Sequence, residues 1–149
     1  MTVEELQAQR DGYIYIHDMS ARRDTMNCCL FDVGAVLRGG FEMGNLWYNE
    51  PKTLNVAFDV IGDIVLSAAS QQYGGFTVSC VDQLLDKYAE ASYIIFYDRY
   101  RSLGLSDERA QEEAMKDIVN DFEQGFQGWE YKFNTVASSR GDYPFITMT

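Results

Sequence analysis

Apolar positions recur along this chain at spacings that predict a mostly helical molecule with a few short strands. The most regular stretch begins at Thr53. Leu54, Ala57, Phe58, Ile61, Ile64, Val65 and Ala68 recur three and four residues apart, the period of one helix face. Val56, Val60 and Leu66 fall off that stripe, so a helix over 54–73 is polar only along Asn55, Asp59 and Asp63 and must be covered on most sides. Pro51 predicts a bend before it, and Gly74-Gly75 a cap after it.

A second helix is predicted from Val81 to Ser102, on Val81, Leu84, Leu85, Tyr88, Ser92, Ile95 and Phe96, with Gly104 ending it. Ser106 caps a third, and Asp107 and Glu108 place negative charge in its first turn. Met115, Ile118, Phe122, Phe126, Trp129, Phe133 and Val136 carry one apolar stripe along it as far as about residue 137. Gly125 and Gly128 interrupt it and predict close packing or a slight bend.

The remaining segments are short. Residues 2–10 read as the last turns of a helix, 13–18 as a brief alternating segment, 27–32 (NCCLFD) as a buried strand, and PFITM at 144–148 as another strand. Two strands do not make a stable sheet, and these two are separated by most of the chain. The expectation is therefore that residues 1–149 form one partial domain, an internal piece of a larger α/β enzyme whose remaining strands lie elsewhere.

Charge narrows the classes of partner. Twelve Lys and Arg against 23 Asp and Glu give a net charge of -11, spread along the chain, which disfavours nucleic acid and anionic membranes. The opening MTVEELQAQR is not a signal peptide, so a cytoplasmic location is expected. Three cysteines, two of them adjacent, suit a reducing compartment better than a disulfide framework. No metal is expected, because His17, Cys28 and Cys29 offer too few ligands at the wrong spacing for a tetrahedral site.

Strand alternation sends Cys28, Leu30 and Asp32 to one face and Asn27, Cys29 and Phe31 to the other, so only one of the adjacent thiols can face a given cavity. Taken alone, each thiol, Cys80 included, reads more readily as a small buried hydrophobe than as a reactive group. His17 beside Asp18 reads in the same way as a strand-end histidine. Lys52 stands just before the 54–73 helix, where an ammonium and backbone N–H groups can meet one phosphate. Gly39-Gly40 and Gly74-Gly75 lack the context of a phosphate loop and read as a turn or a cap. Tyr88, Tyr93, Tyr97 and Tyr100 do not share one face and read as packing residues rather than a radical relay.

Taken in order, His17-Asp18, Asn27-Cys28, GGFEMGN at 39–45, NEPKT at 49–53, QQYGGFT at 71–77 and FNTVASSRGDYPFITMT at 133–149 resemble the anaerobic, class III ribonucleoside-triphosphate reductases, which are glycyl radical enzymes. The resemblance covers nearly the whole chain. It implies part of the ten-stranded α/β barrel of that family, following an ATP-binding cone and preceding a finger loop, zinc cysteines and a glycyl radical motif. The implied cofactors are none within these residues, a glycyl radical made by a radical-SAM iron–sulfur activating enzyme, and a structural zinc further on.

In that chemistry a thiyl on the finger loop removes the 3′ hydrogen of the ribose, the 2′ hydroxyl leaves as water, and a second cysteine supplies reducing equivalents from the other face. The resemblance assigns that second, catalytic cysteine to Cys28, substrate contacts to His17 and Asn27, and effector contacts to Lys52 and Glu50. The loop from Ser138 to Tyr143, with Arg140, either approaches the triphosphate or forms a solvated turn. Implied partners are a ribonucleoside triphosphate, deoxynucleotide and ATP effectors, the activating enzyme and a second subunit of a homodimer. The reductant, formate or a thioredoxin-like protein, stays open. Two competing readings are another glycyl radical enzyme of the formate-lyase type and a stand-alone acidic helical interaction module.

Overall fold

The structure, a computed structural model, describes residues 2–15, 27–72, 74–137 and 143–149. Helix α1 (Val3–Arg10) starts on a capping box, Thr2 accepting from the Glu5 N–H while Glu5 accepts from the Thr2 N–H, and buries none of its residues. Residues 13–15 form no strand, and the rest of the 13–18 segment, with His17, lies outside the described residues.

Strand β1 (Cys29–Phe31) leads through a five-residue helix α2 (Val33–Leu37) into a hairpin, β2 (Phe41–Met43) and β3 (Leu46–Tyr48). Then come α3 (Leu54–Ala69), β4 (Phe76–Val78), α4 (Val81–Ser102), α5 (Asp107–Thr135) and β5 (Ile146–Met148). The hairpin was not expected, although its signal is in the sequence. Gly44-Asn45 is a two-residue loop between apolar segments, and Gly44 takes the positive φ such a turn needs.

Strands β1, β4 and β5 make one parallel sheet in that order, with Cys29 opposite Phe76 and Phe76 opposite Ile146. The two expected strands therefore do not need an outside partner to meet. They join through β4, which the sequence hides because its three residues follow two glycines without visible alternation. The sheet is covered on one face. Cys29, Phe31, Phe76, Val78, Ile146 and Met148 face the core built by α3 and α4, while Cys28, Leu30, Phe145 and Thr147 are exposed on the other face. The segment expected to be a buried strand is thus buried on one side only, with Leu30 79% exposed.

The three long helices pack together, α4 against α5 and α3 against both. Helix α3 ends at Ala69, earlier than predicted, and its cap is not Gly74-Gly75. Ser70 and Gln71 side chains satisfy the Ser67 carbonyl, the Ser70 N–H bonds to Leu66, and neither glycine has a positive φ. Gly104, at φ +88°, does end α4 as expected.

Helix α5 is rotated from its predicted stripe. Ile118 and Trp129 are buried, but Met115, Phe126 and Val136 are exposed, and the line that faces inward is Ala110, Ala114, Ile118, Asp121, Gly125 and Trp129. Small residues occupy that line because the helices approach closely there. A Cβ on Gly125 would overlap the Phe58 ring, whereas Gly128 has open space around it. Of the two expected interruptions, only Gly125 marks a close contact.

Candidate functional site

Cys28 sits at the entry to β1, on the uncovered face of the sheet. Alternation separates the two adjacent thiols as expected: Cys29 turns into the core, where it lines an apolar recess of about 270 Å³ with Phe31, Phe41, Met43 and Phe76, and Cys28 is exposed. The residues around Cys28 come from the loop before β4. The Cys29 N–H donates to the Gly75 carbonyl at 3.0 Å, and the Gly74 N–H donates to the Asn27 carbonyl, so 27–29 and 74–75 extend the sheet ladder by hydrogen bonding. The Gly75 N–H turns away from the backbone and donates to the Cys28 sulfur at 3.3 Å. Gln72, nearly fully buried, donates to the Gly75 carbonyl at 3.3 Å and steadies the same loop.

Asn27 and Cys28 are therefore brought together against the same side of Gly74. A Cβ built on Gly74 would overlap the Asn27 carbonyl oxygen and would lie 2.5 Å from the sulfur and 2.6 Å from Asn27 Oδ1. Sequence reasoning set this glycine pair aside as a helix cap. The missed signal was that two glycines follow so closely on the end of a helix that needs neither. Cys80, expected to be buried, is exposed instead, because it stands at the start of α4 with a positive φ of 54°.

Glu50 and Lys52 lie on the loop entering α3 and share no hydrogen bond with the Cys28 group. The Glu50 carboxylate is engaged: the Lys87 ammonium donates to it at 2.5 Å and the Gly39 N–H at 3.1 Å. Lys87 first, then the Gly39 N–H, hold its carboxyl below the ordinary carboxylate range, and Lys87 is raised in turn. Glu50 thereby clips the Gly39-Gly40 turn, both of whose residues have positive φ, to α4. Lys52 is exposed just ahead of α3, whose first N–H, on Leu54, is already taken by the buried Ser92 hydroxyl at 2.8 Å.

The tyrosines of α4 behave as packing residues. Tyr97 and Tyr100 donate from their hydroxyls to Asp107 and Asp117 of α5, and Tyr93 stacks on Tyr97. Among the described residues no group of three or more His, Cys, Asp or Glu side chains is placed to hold a metal ion, and no helix is long and apolar enough to cross a membrane.

A family model described as anaerobic ribonucleoside-triphosphate reductase matches residues 1–149. The chain belongs to that family. It is 34% identical over 148 residues to the anaerobic ribonucleoside-triphosphate reductase of Enterobacteria phage T4, covering 97% of this chain and 24% of that protein. The reductases of that name from Escherichia coli strain K12 and Haemophilus influenzae are 32% and 31% identical over 145 residues, 96% of this chain and 20% of each of those proteins. The chain thus spans a fifth to a quarter of the length of the curated relatives it matches. Family membership over the full chain removes the reading as a stand-alone helical module and that as a formate-lyase-type enzyme.

Proposed function

We propose that this chain forms part of the catalytic barrel of an anaerobic ribonucleoside-triphosphate reductase, and that its Cys28 thiol is the reducing group at the ribose. The observation that carries this reading is the placement of Cys28. It is the one cysteine of the adjacent pair on the open face of a parallel sheet, a sheet type that is ordinarily covered on both sides. In a whole protein of the relatives' length that face lines the substrate cavity.

A glycyl radical, lying beyond these residues and formed with an activating enzyme, supplies the hydrogen-abstracting chemistry. The part played here is different. Cys28 offers an S–H bond weak enough to give its hydrogen to a carbon radical, from a rigid strand end facing a cavity closed to water. Asn27, whose side-chain oxygen lies on the same side of Gly74 as the sulfur, is placed to hydrogen-bond the nucleotide. His17 completes the proposed substrate contacts.

Replacing Cys28 by Ser in the full-length enzyme is expected to abolish nucleotide reduction while glycyl radical formation survives. Normal turnover by that variant would refute the assignment. A deoxynucleotide effector site is proposed at Lys52, exposed beside the α3 N-terminus, with Glu50 acting through its clip to Lys87 and Gly39 to shape the loop. Lys52→Ala is then expected to weaken effector control of substrate preference without changing reduction in the absence of effector. A homodimer and a cytoplasmic location complete the proposal.

A further inference from the structure

Of the three cysteines described, Cys28 is the one whose sulfur accepts a backbone hydrogen bond from a neighbouring loop. That bond and the absence of a side chain beside it come from two successive residues. The Gly75 N–H donates to Sγ at 3.3 Å. One residue earlier, any side chain would begin 2.5 Å from the same sulfur, a separation real Cβ atoms do not adopt. Neither glycine is required by backbone conformation, since neither has a positive φ, and neither caps α3. Steric space beside Asn27 and Cys28 is what remains to explain Gly74.

We propose that the Gly74–Gly75 loop is the positioning element of the Cys28 thiol, holding its sulfur through the Gly75 N–H and leaving it room through the missing side chain at Gly74. The proposal rests on the reading of Cys28 as the reducing group. A neutral thiol has one S–H donor and weak acceptor capacity on sulfur. With the acceptor side occupied by an N–H from the sheet edge, the S–H hydrogen is left to point off the sheet, toward the open face where a ribose must lie. The loop is itself anchored, by the Gly74 N–H on the Asn27 carbonyl, by the Cys29 N–H on the Gly75 carbonyl and by Gln72 on that same carbonyl. The sulfur is thus tied to its own strand and to the loop that enters β4, the arrangement that fixes a reacting group to within a fraction of an ångström.

The test uses the full-length enzyme with its activating enzyme, comparing Gly74→Ala with Gly128→Ala, a glycine on α5 with open space around it. Gly74→Ala is expected to lose about a hundredfold in kcat, the effect of displacing a reacting group by about 1 Å, with KM and glycyl radical yield near those of Gly128→Ala. The rate of Cys28 alkylation by iodoacetamide, read by mass spectrometry, should also change in Gly74→Ala and not in Gly128→Ala. Unchanged alkylation of Cys28, with or without loss of turnover, would overturn the proposal. Altered alkylation with full turnover would support the positioning role and overturn instead the assignment of Cys28 as the reductant. Should Gly74→Ala fail to fold, amide hydrogen exchange at Gly75 decides: it is expected to rise about fivefold in Cys28→Ala, as for loss of one weak hydrogen bond, and unchanged exchange would overturn the proposal.

Discussion

At the scale of single residues, two glycines of α5 that look alike in sequence have opposite roles. Gly125 lies beneath the Phe58 ring, which is boxed edge-on by Phe122, Phe126 and Trp129, so the ring has nowhere to move. Gly125→Ala gains about 1 kcal/mol of helix propensity but overpacks this cluster at about 1–3 kcal/mol or more, and the steric term wins because the contact is with a ring held on three sides. Gly128 meets nothing, so Gly128→Ala is expected to stabilise by about 1 kcal/mol or less. Denaturant melts of the two variants should move in opposite directions, and a stabilised Gly125→Ala would contradict the packing described.

At the scale of elements, α3 is capped by tertiary structure. Thr53 makes no side-chain cap, and the buried first N–H of the helix, on Leu54, is satisfied by Ser92 Oγ from the middle of α4. Further along, the Trp129 indole N–H donates to the Phe58 carbonyl at 2.7 Å, and the Lys132 ammonium pairs with Asp63 at 3.0 Å, tying α5 to α3. Ser92→Ala leaves a buried donor without a partner, which costs about 1–3 kcal/mol. It should lower the melting temperature and speed amide exchange selectively in the first turn of α3. Unchanged exchange there would show that Ser92 is not the cap.

At the scale of the whole molecule, the parallel sheet is dressed on one side by helices and bare on the other. Leu30 and Phe145, 79% and 75% exposed, stand on the bare face beside Cys28. Apolar surface of this kind, on a chain of net charge -11, promotes association despite the charge. The 149-residue chain alone is expected to self-associate, and Leu30→Glu with Phe145→Glu to reduce it, as read by sedimentation. A monomer at every concentration before substitution would mean that the face is not sticky.

Much of the fold was legible in the chain because long helices repeat their signal. The bounds of α4 match the predicted Val81–Ser102, α5 is within two residues of its predicted ends, and alternation alone placed Cys28 and Cys29 on opposite faces. Elements of three to five residues carry too few positions for a period, which is why α2, β4 and the β2–β3 hairpin went unread. For the same reason the bare and covered faces of the sheet could not be assigned. Periodicity finds an apolar stripe but not which part of it is covered, so α5 was rotated.

The sequence by itself determined the helices, the separation of the two thiols and, through its ordered motifs, the family. Only the tertiary structure decided what β4 joins, that Glu50 is held by Lys87 and Gly39, and that the Gly75 N–H meets the Cys28 sulfur. Each of these depends on contacts between residues far apart in the chain, such as the 47 positions between Cys28 and Gly75, and local pattern carries no information about which distant groups meet.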